Sequence, residues 1–223
     1  MYQAALDTSL TCSLVIARDG EPLLEQTLDS ASREHDRRLP PWLLASVASC
    51  GITLHDIRQW TVGTGPGSFA GLRSGIAHLM GICTATGAQL RGVPSAIAAA
   101  EAAQPTPGQR IGVILDGRCG EVILAIVQDR RLVAPPQAMT PETLTEPDHA
   151  CDRWLTPQAR LLPPLPAPIA DSLIAINAIS PSPLLSAPDA WPTTTAEMIA
   201  SCTPIYVRPP VFVAPLPVNN LLA

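Results

Sequence analysis

The sequence predicts an α/β fold of two lobes, of which the second is reduced. Three stretches at 2–7, 11–18 and 22–29 alternate apolar with small or polar residues, which is typical of consecutive antiparallel strands. A strand–turn–strand pattern returns at 111–128, as expected for a duplicated fold. Between these regions, apolar residues recur at helical spacing. The order of elements therefore indicates two related α/β lobes.

The first lobe is completed by helices and two further strands. Apolar residues at i, i+3, i+4 and i+8 predict a helix that ends at Gly51, namely Leu39, Trp42, Leu43 and Val47. Its start stays open, because Asp36 is a candidate cap whereas Pro40 and Pro41 favour a start at Pro40. The other predicted elements are a strand at 59–63, a helix from 68 to about 86, a strand at 89–92 and a helix at 95–103.

The boundary between the lobes is predicted at a polar, proline-containing linker over 104–109, which leaves lobes of 1–103 and 110–223. Of the 25 prolines, 18 lie after residue 134, and this density prevents long helices. The second lobe is therefore predicted to be rich in loops. Its later elements are predicted as short helices near 169–178 and 194–201 and a strand at 204–208.

The charge composition excludes several classes of enzyme. All 14 basic residues are arginine, so the chain lacks the lysine that phosphate-loop NTPases, pyridoxal enzymes and protein kinases require. The net charge of −5 does not favour independent binding of nucleic acid. No apolar run approaches the roughly 18 residues of a membrane helix, and no leader pattern begins the sequence. We therefore expect a soluble cytoplasmic protein that does not enter membranes.

The cysteines and histidines show no metal-binding pattern. The six cysteines are scattered singly without a Cys-x-x-Cys pair, and no two of the four histidines stand at ligand spacing. We interpret the cysteines as free thiols, most of them small core residues. No metal site is predicted.

Several motifs of the chain occur together in one known family. They are Leu-Asp-Thr-Ser at 6–9, the stretch 33–39 followed by the glycine-rich run 63–73, and the hairpin 115–122. The segment 204–208 matches the closing strand of the same family. Together they resemble the TsaB (YeaZ) family of tRNA threonylcarbamoyladenosine biosynthesis proteins. The resemblance is strong over 2–128 and weak over 135–200, and Met80 and Ile123 stand where family members usually have a lysine and an aromatic residue.

The resemblance implies an actin-like ATPase (ASKHA, ribonuclease H-like) fold and a non-catalytic paralogue of the TsaD transferase. It implies a heterodimer with TsaD, which modifies adenosine 37 of tRNA, and a TsaE ATPase in the same complex. A homodimer of the chain alone is a further possibility, and tRNA would be reached only through the complex. The alternative is an enzyme, either a small actin-like phosphotransferase that uses a nucleotide or a metallopeptidase-like protein.

The candidate catalytic residues each have a structural interpretation that we favour. Asp7, Thr8 and Ser9 stand where actin-like ATPases bind phosphate, but the hairpin lacks a glycine, so a vestigial site is the most we expect. The turn at 65–68 is interpreted as a tight turn rather than an anion site. The related TsaD transferase carries a His-x-x-x-His pair on the equivalent helix, but here Leu39 stands four residues after His35 in place of the second histidine. We therefore expect His35 to cap or orient the helix.

The remaining candidates lead to the same conclusion. Asp116 and Glu121 flank a hairpin turn, where charged residues are ordinary. Actin-like nucleotidases hold the adenosine with a Gly-Gly turn in the second lobe, and this sequence contains no Gly-Gly dipeptide. We therefore predict no catalytic residues and no cofactor.

A partner surface is predicted on the helices at 39–50 and 68–86, because both have more apolar and small residues than one core requires. Glycines at 67, 71 and 75 would let another backbone approach closely. The predicted interface residues are Leu39, Trp42, Leu43, Leu72, Arg73, Gly75 and Ile76.

Overall fold

The computed structural model describes residues 1–28, 35–177 and 179–208, with the backbone alone at 35 and 36. A first sheet is formed by the strands β1 (Tyr2–Asp7), β2 (Ser13–Arg18), β3 (Glu21–Thr27), β4 (Ile57–Gly63) and β5 (Gln89–Val93). Their order is β3-β2-β1-β4-β5. The first three strands are antiparallel, while β4 and β5 run parallel to β1. The predicted N-terminal antiparallel unit is confirmed.

Three helices cover this sheet, namely α1 (His35–Ser49), α2 (Phe69–Thr86) and α3 (Ser95–Glu101). The start of the helix, which the sequence left open, lies at His35, and α1 contains both Pro40 and Pro41. A proline removes one amide donor, and packing of Leu39 and Leu43 into the core stabilises the helix in spite of it. Helix α2 ends at Thr86 as predicted, and Gly87 after it adopts the left-handed conformation with φ of +72°.

Alternation along β1 divides the core between two faces of the sheet. Ala4 and Leu6 are buried under α1 and α2, whereas Ala5 points to the opposite face and joins the cluster of α3. Helix α3 is buried on nearly every side because it lies between the two lobes, with Ile97 in the same cluster as Val113 of the second lobe. Its alanine-rich sequence suits this position, since small side chains allow both sheets to approach.

The second sheet contains β6 (Arg110–Arg118), β7 (Glu121–Gln128), β8 (Arg131–Leu132), β9 (Gln137–Met139), β10 (Arg153–Thr156) and β11 (Leu173–Ala175). The order is β11-β10-β6-β7-β8, with β9 also paired to β7. The predicted β6–β7 hairpin is confirmed. The parallel strands β10 and β11 were not predicted, because strands of three or four residues are too short to show a period.

Short helices complete the described chain. They are α4 (Ala167–Ala170), α5 (Ser182–Leu185) and α6 (Thr195–Ser201), together with 3₁₀ turns at Leu54–Asp56, Pro141–Thr145 and Pro147–His149. The helix predicted near 169–178 is wrong beyond Ala170, where the chain turns and enters β11, whereas the helix predicted near 194–201 is confirmed as α6. The predicted strand at 204–208 is also wrong, because this segment joins no sheet.

The C-terminal part of the described chain returns to the first lobe. Helix α6 packs beside β5, and the Ser201 hydroxyl accepts a hydrogen bond from the amide of Gly92. The amide of Ile205 donates to the carbonyl of Thr64 at 2.8 Å. The boundary at 104–109 stays a prediction, and these contacts show that residues far beyond it pack on the first sheet. No helix in the described ranges combines the length and apolarity needed to cross a membrane.

A buried arginine organises the proline-rich segment before α6. Arg91 on β5 is only 3% exposed, and its guanidinium stacks 4.3 Å from the ring centre of Trp191. Its terminal nitrogens donate to four backbone carbonyls, those of Leu184, Leu185, Ala187 and Asp189. A planar group with several donors can satisfy such a set of carbonyls, and these bonds tie the loop-rich segment to β5.

Candidate interlobe cleft and partner surface

The turn between β1 and β2 packs directly on the first turns of α2. The Thr8 hydroxyl donates to the carbonyl of Gly71 at 2.7 Å, and the amide of Ser68 donates to the carbonyl of Ser9. A Cβ atom added at Gly71 would lie 2.2 Å from the Thr8 carbonyl oxygen, and one at Gly75 would lie 2.3 Å from the Thr8 hydroxyl oxygen. The glycines of α2 therefore permit close packing inside the lobe.

Asp7 is held within this packing. Its Oδ1 accepts a hydrogen bond of 2.7 Å from the amide of Ser9. Its Oδ2 is buried beside the Ser95 hydroxyl without a well-aligned hydrogen bond. Burial raises the pKa of the Asp7 carboxyl above its ordinary value, while the hydrogen bonding of Ser9 and the nearby Ser95 hydroxyl lower it.

The glycine-rich turn before α2 is fixed by local bonds. Gly65 has φ of +99°, the left-handed region that the sequence interpretation required of a tight turn. Its amide donates to the Ser95 hydroxyl, and its carbonyl accepts from the Ser95 amide. The hydroxyl of Ser68 caps α2 by accepting from the amide of Gly71. These bonds favour the interpretation of the segment as a turn.

An open cleft separates the lobes beside these turns. One part, of about 670 Å³, lies between Ser9 and the start of α2 on one side and Asp116, Gln158 and Leu161 on the other. An adjoining part, of about 450 Å³, is bounded by Phe69, Ile123 and the segment 205–208. The walls of the cleft are mainly apolar, and the side chains of Phe69, Ile123 and Leu161 form part of them.

The two carboxylates of the second-lobe hairpin already have partners. Asp116 Oδ1 accepts a hydrogen bond of 2.8 Å from the amide of Arg118, and Glu121 forms an ion pair with Arg208. Both carboxylates therefore shape the hairpin and its contact with the C-terminal segment. This geometry favours their structural interpretation over acid–base chemistry.

Metal-binding and thiol chemistry find little support in the described ranges. These residues contain no cluster of three or more side chains suited to hold a metal ion. The side chain of His35 lies outside the described residues, so its predicted capping role stays a prediction. Cys12 and Cys83 are buried, and burial raises the pKa of each thiol to about 12, as expected for core residues.

Most of the residues predicted for the partner surface are buried in the lobe itself. Leu39, Leu43, Leu72 and Ile76 are between 0% and 7% exposed. Gly75 is buried against Thr8 as described above, and Trp42 is partly buried. Since such side chains cannot also meet a partner, their assignment to a surface is corrected. Of the predicted residues, Arg73 is the one that is well exposed.

The outward face of α2 carries other residues, which are small and uncharged. Its exposed positions include Ala70, Ala77, Gly81, Thr84 and Ala85, and Arg73 is the one arginine, lysine or acidic residue among its 18 residues. On α1, Arg37 and Arg38 are exposed near the start, and beyond them the exposed positions include Pro41, Leu44, Ala45 and Ala48, with Leu44 54% exposed. We call the exposed positions of α2, and those of α1 from Pro41 onward, the helical face. Solvent-exposed helices usually carry more charge than this.

A stack of three side chains stands at one end of the helical face. The Arg73 guanidinium lies 3.7 Å from the ring centre of Phe69, and its Nε donates to the Tyr206 hydroxyl at 2.7 Å. The rings of Phe69 and Tyr206 have centres 4.8 Å apart. The sequence prediction included Arg73 but missed Tyr206 and Phe69, although both lie in motifs that supported the resemblance.

Two α/β lobes that open on antiparallel hairpins, with a cleft between them, define an actin-like protein of the ribonuclease H-like type. The predicted fold is thereby confirmed. The sequence model of the family TsaD, tRNA N6-adenosine threonylcarbamoyltransferase, matches residues 29–150. The chain belongs to this family, and its relatives confirm the predicted resemblance to TsaB (YeaZ) within it.

The relatives match to different extents. The tRNA threonylcarbamoyladenosine biosynthesis protein TsaB of Escherichia coli K12 is 32% identical over 126 residues, covering 56% of this chain and 54% of that protein. The match thus spans about half the length of E. coli TsaB. The uncharacterized protein Rv3421c of Mycobacterium tuberculosis is 32% identical over 213 residues, covering 92% of this chain and 91% of that protein.

Two solved structures from Pseudomonas aeruginosa share the fold. An uncharacterized protein with similarity to peptidase YEAZ superposes with a TM-score of 0.70 at 25% identity, covering 93% of this chain and 99% of that one. A structure of YeaZ gives a TM-score of 0.68 at 24% identity, covering 92% and 99%. The fold therefore extends through the proline-rich second lobe, where the sequence resemblance is weak.

Proposed function

We propose that the chain is a non-catalytic docking subunit in the biosynthesis of N6-threonylcarbamoyladenosine in tRNA, and that it binds a TsaD-type transferase. The name of the E. coli relative and the family of the matching model support the pathway. The observation that carries the docking role is the helical face. From Pro41 onward on α1 and along α2, the exposed positions are mainly alanine, glycine, leucine and proline, with Arg73 as the one exposed arginine, where a free surface would carry more charge.

A docking role also agrees with the state of the cleft. Thr8 and Ser9 are 8% and 1% exposed. The Thr8 hydroxyl donates to Gly71 of α2, the Ser9 carbonyl accepts from Ser68 at the start of that helix, and the Ser9 amide donates to Asp7 instead of facing a ligand. A phosphate-binding hairpin needs amides that point into an open site. No arrangement of the described residues specifically favours the alternative of a phosphotransferase or a metallopeptidase-like enzyme, so we propose no catalytic residue, cofactor or metal.

The remaining partners follow from the same proposal. A TsaE-type ATPase would join the complex, and tRNA would be bound through the transferase, because an isolated chain of net charge −5 has little attraction for phosphates. In the absence of the transferase, the helical face would pair with a second copy of the chain. The complex would act in the cytoplasm.

The test is direct binding of the purified chain to the TsaD-type transferase of the same organism. Ala77→Arg places a long charged side chain at the centre of the helical face and should abolish co-elution, while the melting temperature of the free chain stays close to wild type. Ala102→Arg, at an exposed alanine just after α3, is the matched control and should bind normally. A wild-type chain that does not bind the transferase, or an Ala77→Arg variant that binds as wild type does, would contradict the proposal.

A further inference from the structure

We infer that Tyr206 and Phe69 position Arg73 as a preformed anchor for a carboxylate on the protein partner. The inference rests on the docking function proposed above and adds the chemistry of one contact within it. Arg73 stands three residues after Ala70 and four before Ala77, so all three share the outward side of α2. The anchor therefore belongs to the helical face.

The orientation of Arg73 is fixed by two independent contacts. Phe69 lies one turn earlier on the same helix and stacks under the guanidinium plane, while the Tyr206 hydroxyl accepts from Nε in that plane. A free arginine loses considerable rotamer freedom when it binds, and this loss is smaller for a side chain that is already ordered. The stack thus prepares Arg73 for a directional contact.

The functional end of the guanidinium remains available. Within the part of the chain that the structure describes, Arg73 makes no ion pair and its terminal nitrogens make no hydrogen bond. These two nitrogens can donate in parallel to the two oxygens of one carboxylate. Phe69 and Tyr206 are 43% and 40% exposed, so their rings flank the contact with apolar surface. Arginine beside aromatic rings is a frequent composition of interface hot spots.

A carboxylate fits this anchor better than nucleic acid does. Binding to a phosphate backbone depends on several cations that neutralise several phosphates. Helix α2 offers a single arginine on a surface of alanine and glycine, which matches one isolated negative group on a protein surface. We therefore commit to an acidic residue of the transferase as the occupant.

The position of Tyr206 depends on the second lobe. Two residues later, Arg208 pairs with Glu121 of the β7 strand, and one residue earlier the Ile205 amide is bonded to Thr64. The segment 205–208 therefore ties the anchor on α2 to the hairpin of the second lobe. Residues outside the helical face thus take part in its geometry, and Tyr206 acts as a positioning residue.

The test is a double-mutant cycle on the affinity for the TsaD-type transferase. Arg73→Gln should weaken binding by about thirtyfold, and Tyr206→Phe, which keeps the ring and removes the hydroxyl, by about fivefold. In the Arg73→Gln background, Tyr206→Phe should have no further effect, because its role acts through Arg73. Tyr2→Phe is the matched control, since Tyr2 also faces an arginine, Arg18, but lies on β1.

A purely structural role would give different results. It would lower the melting temperature of the free chain in Tyr206→Phe. The effect of Tyr206→Phe on binding would then be the same with and without Arg73→Gln, and the variants would keep the salt dependence of the wild type. The expected result is instead an affinity that falls with added salt in the wild type and falls less steeply in Arg73→Gln.

Three outcomes would overturn the inference in distinguishable ways. If the wild type binds the transferase and Arg73→Gln binds equally well, the anchor is wrong and the docking function stands. If the wild type does not bind at all, the docking function fails and the anchor fails with it. Loss of tRNA affinity by the isolated Arg73→Gln chain, with transferase binding unchanged, would assign Arg73 to a phosphate and contradict the carboxylate.

Discussion

The hydroxyl of Thr8 donates a hydrogen bond to the carbonyl of Gly71, 63 residues later in the chain, at 2.7 Å. This bond joins the hairpin of the first sheet to a helix whose glycines leave room for it. In an actin-like nucleotidase, the corresponding hairpin would present its amides to a phosphate. Here the contacts of the hairpin go to the helix, and the same helix exposes its uncharged side outward. One helix thereby explains both the closed hairpin and the candidate partner surface.

Two glycines of α2 should respond to alanine in opposite ways. Gly75→Ala adds a Cβ atom 2.3 Å from the Thr8 hydroxyl oxygen and should destabilise the chain by about 1–3 kcal/mol. Gly81→Ala meets no atom within 4 Å and should stabilise it by about 0.5–1 kcal/mol, because alanine favours the helix. Thermal melting of the three proteins checks both. An unchanged melting temperature in Gly75→Ala would disprove the packing described for Thr8.

Arg91 should not be replaceable by lysine. An ammonium group has three donors and cannot reach all four carbonyls around the guanidinium, so at least one buried carbonyl would lose its partner. We expect Arg91→Lys to lose about 2–4 kcal/mol of unfolding free energy in urea titrations, with faster proteolysis within 182–191. Arg131→Lys, at an exposed arginine on β8, is the control and should match the wild type.

The ionisation of Asp7 should lower stability as pH rises. Burial raises its pKa in the folded chain above the ordinary value of an aspartate, so the folded state binds its proton more tightly than the unfolded state. The contribution to stability is therefore fully present below the unfolded pKa and is lost as pH increases through the folded pKa. Asp7→Asn keeps an oxygen for the Ser9 amide and removes the charge.

The measurement is the melting temperature of wild type and Asp7→Asn from pH 4 to pH 8. Asn should make the chain relatively more stable at the upper end of this range, with the difference between the two proteins shrinking at the lower end. A difference that stays constant with pH would show that Asp7 does not titrate in this range, and a difference that grows toward low pH would give the opposite sign.

Nucleotide turnover should be absent from the isolated chain. With Thr8 and Ser9 packed on α2, we expect calorimetric titration with ATP and magnesium to show no tight site and phosphate release to stay at background. Elemental analysis should likewise find no stoichiometric zinc or iron. Phosphate release that is lost in Asp7→Ala would identify an active hairpin and support the phosphotransferase alternative instead.

The strands of the first lobe and its hairpin were predictable because their signals are local. A period of two over six residues and a glycine after a helical stripe can be recognised without tertiary information. The short parallel strands β10 and β11 could not be predicted, because three or four residues carry no clear period and their partners are distant in sequence. The start of α1 stayed open because local signals conflict there, and it is decided by core packing of Leu39 and Leu43, which outweighs the cost of two prolines.

The sequence by itself determined the two-lobed α/β class, the family resemblance and the exclusion of enzyme classes that require a lysine. Composition and contiguous motifs carry that information. Only the tertiary structure decided which side of each helix is buried. An apolar residue such as Leu72 looks the same in a sequence whether it faces a core or a partner, and a glycine such as Gly75 does not specify which backbone approaches it. The same holds for the contact of Arg73 with Tyr206, 133 residues away, because a hydrogen bond between distant residues exists only once the chain is folded.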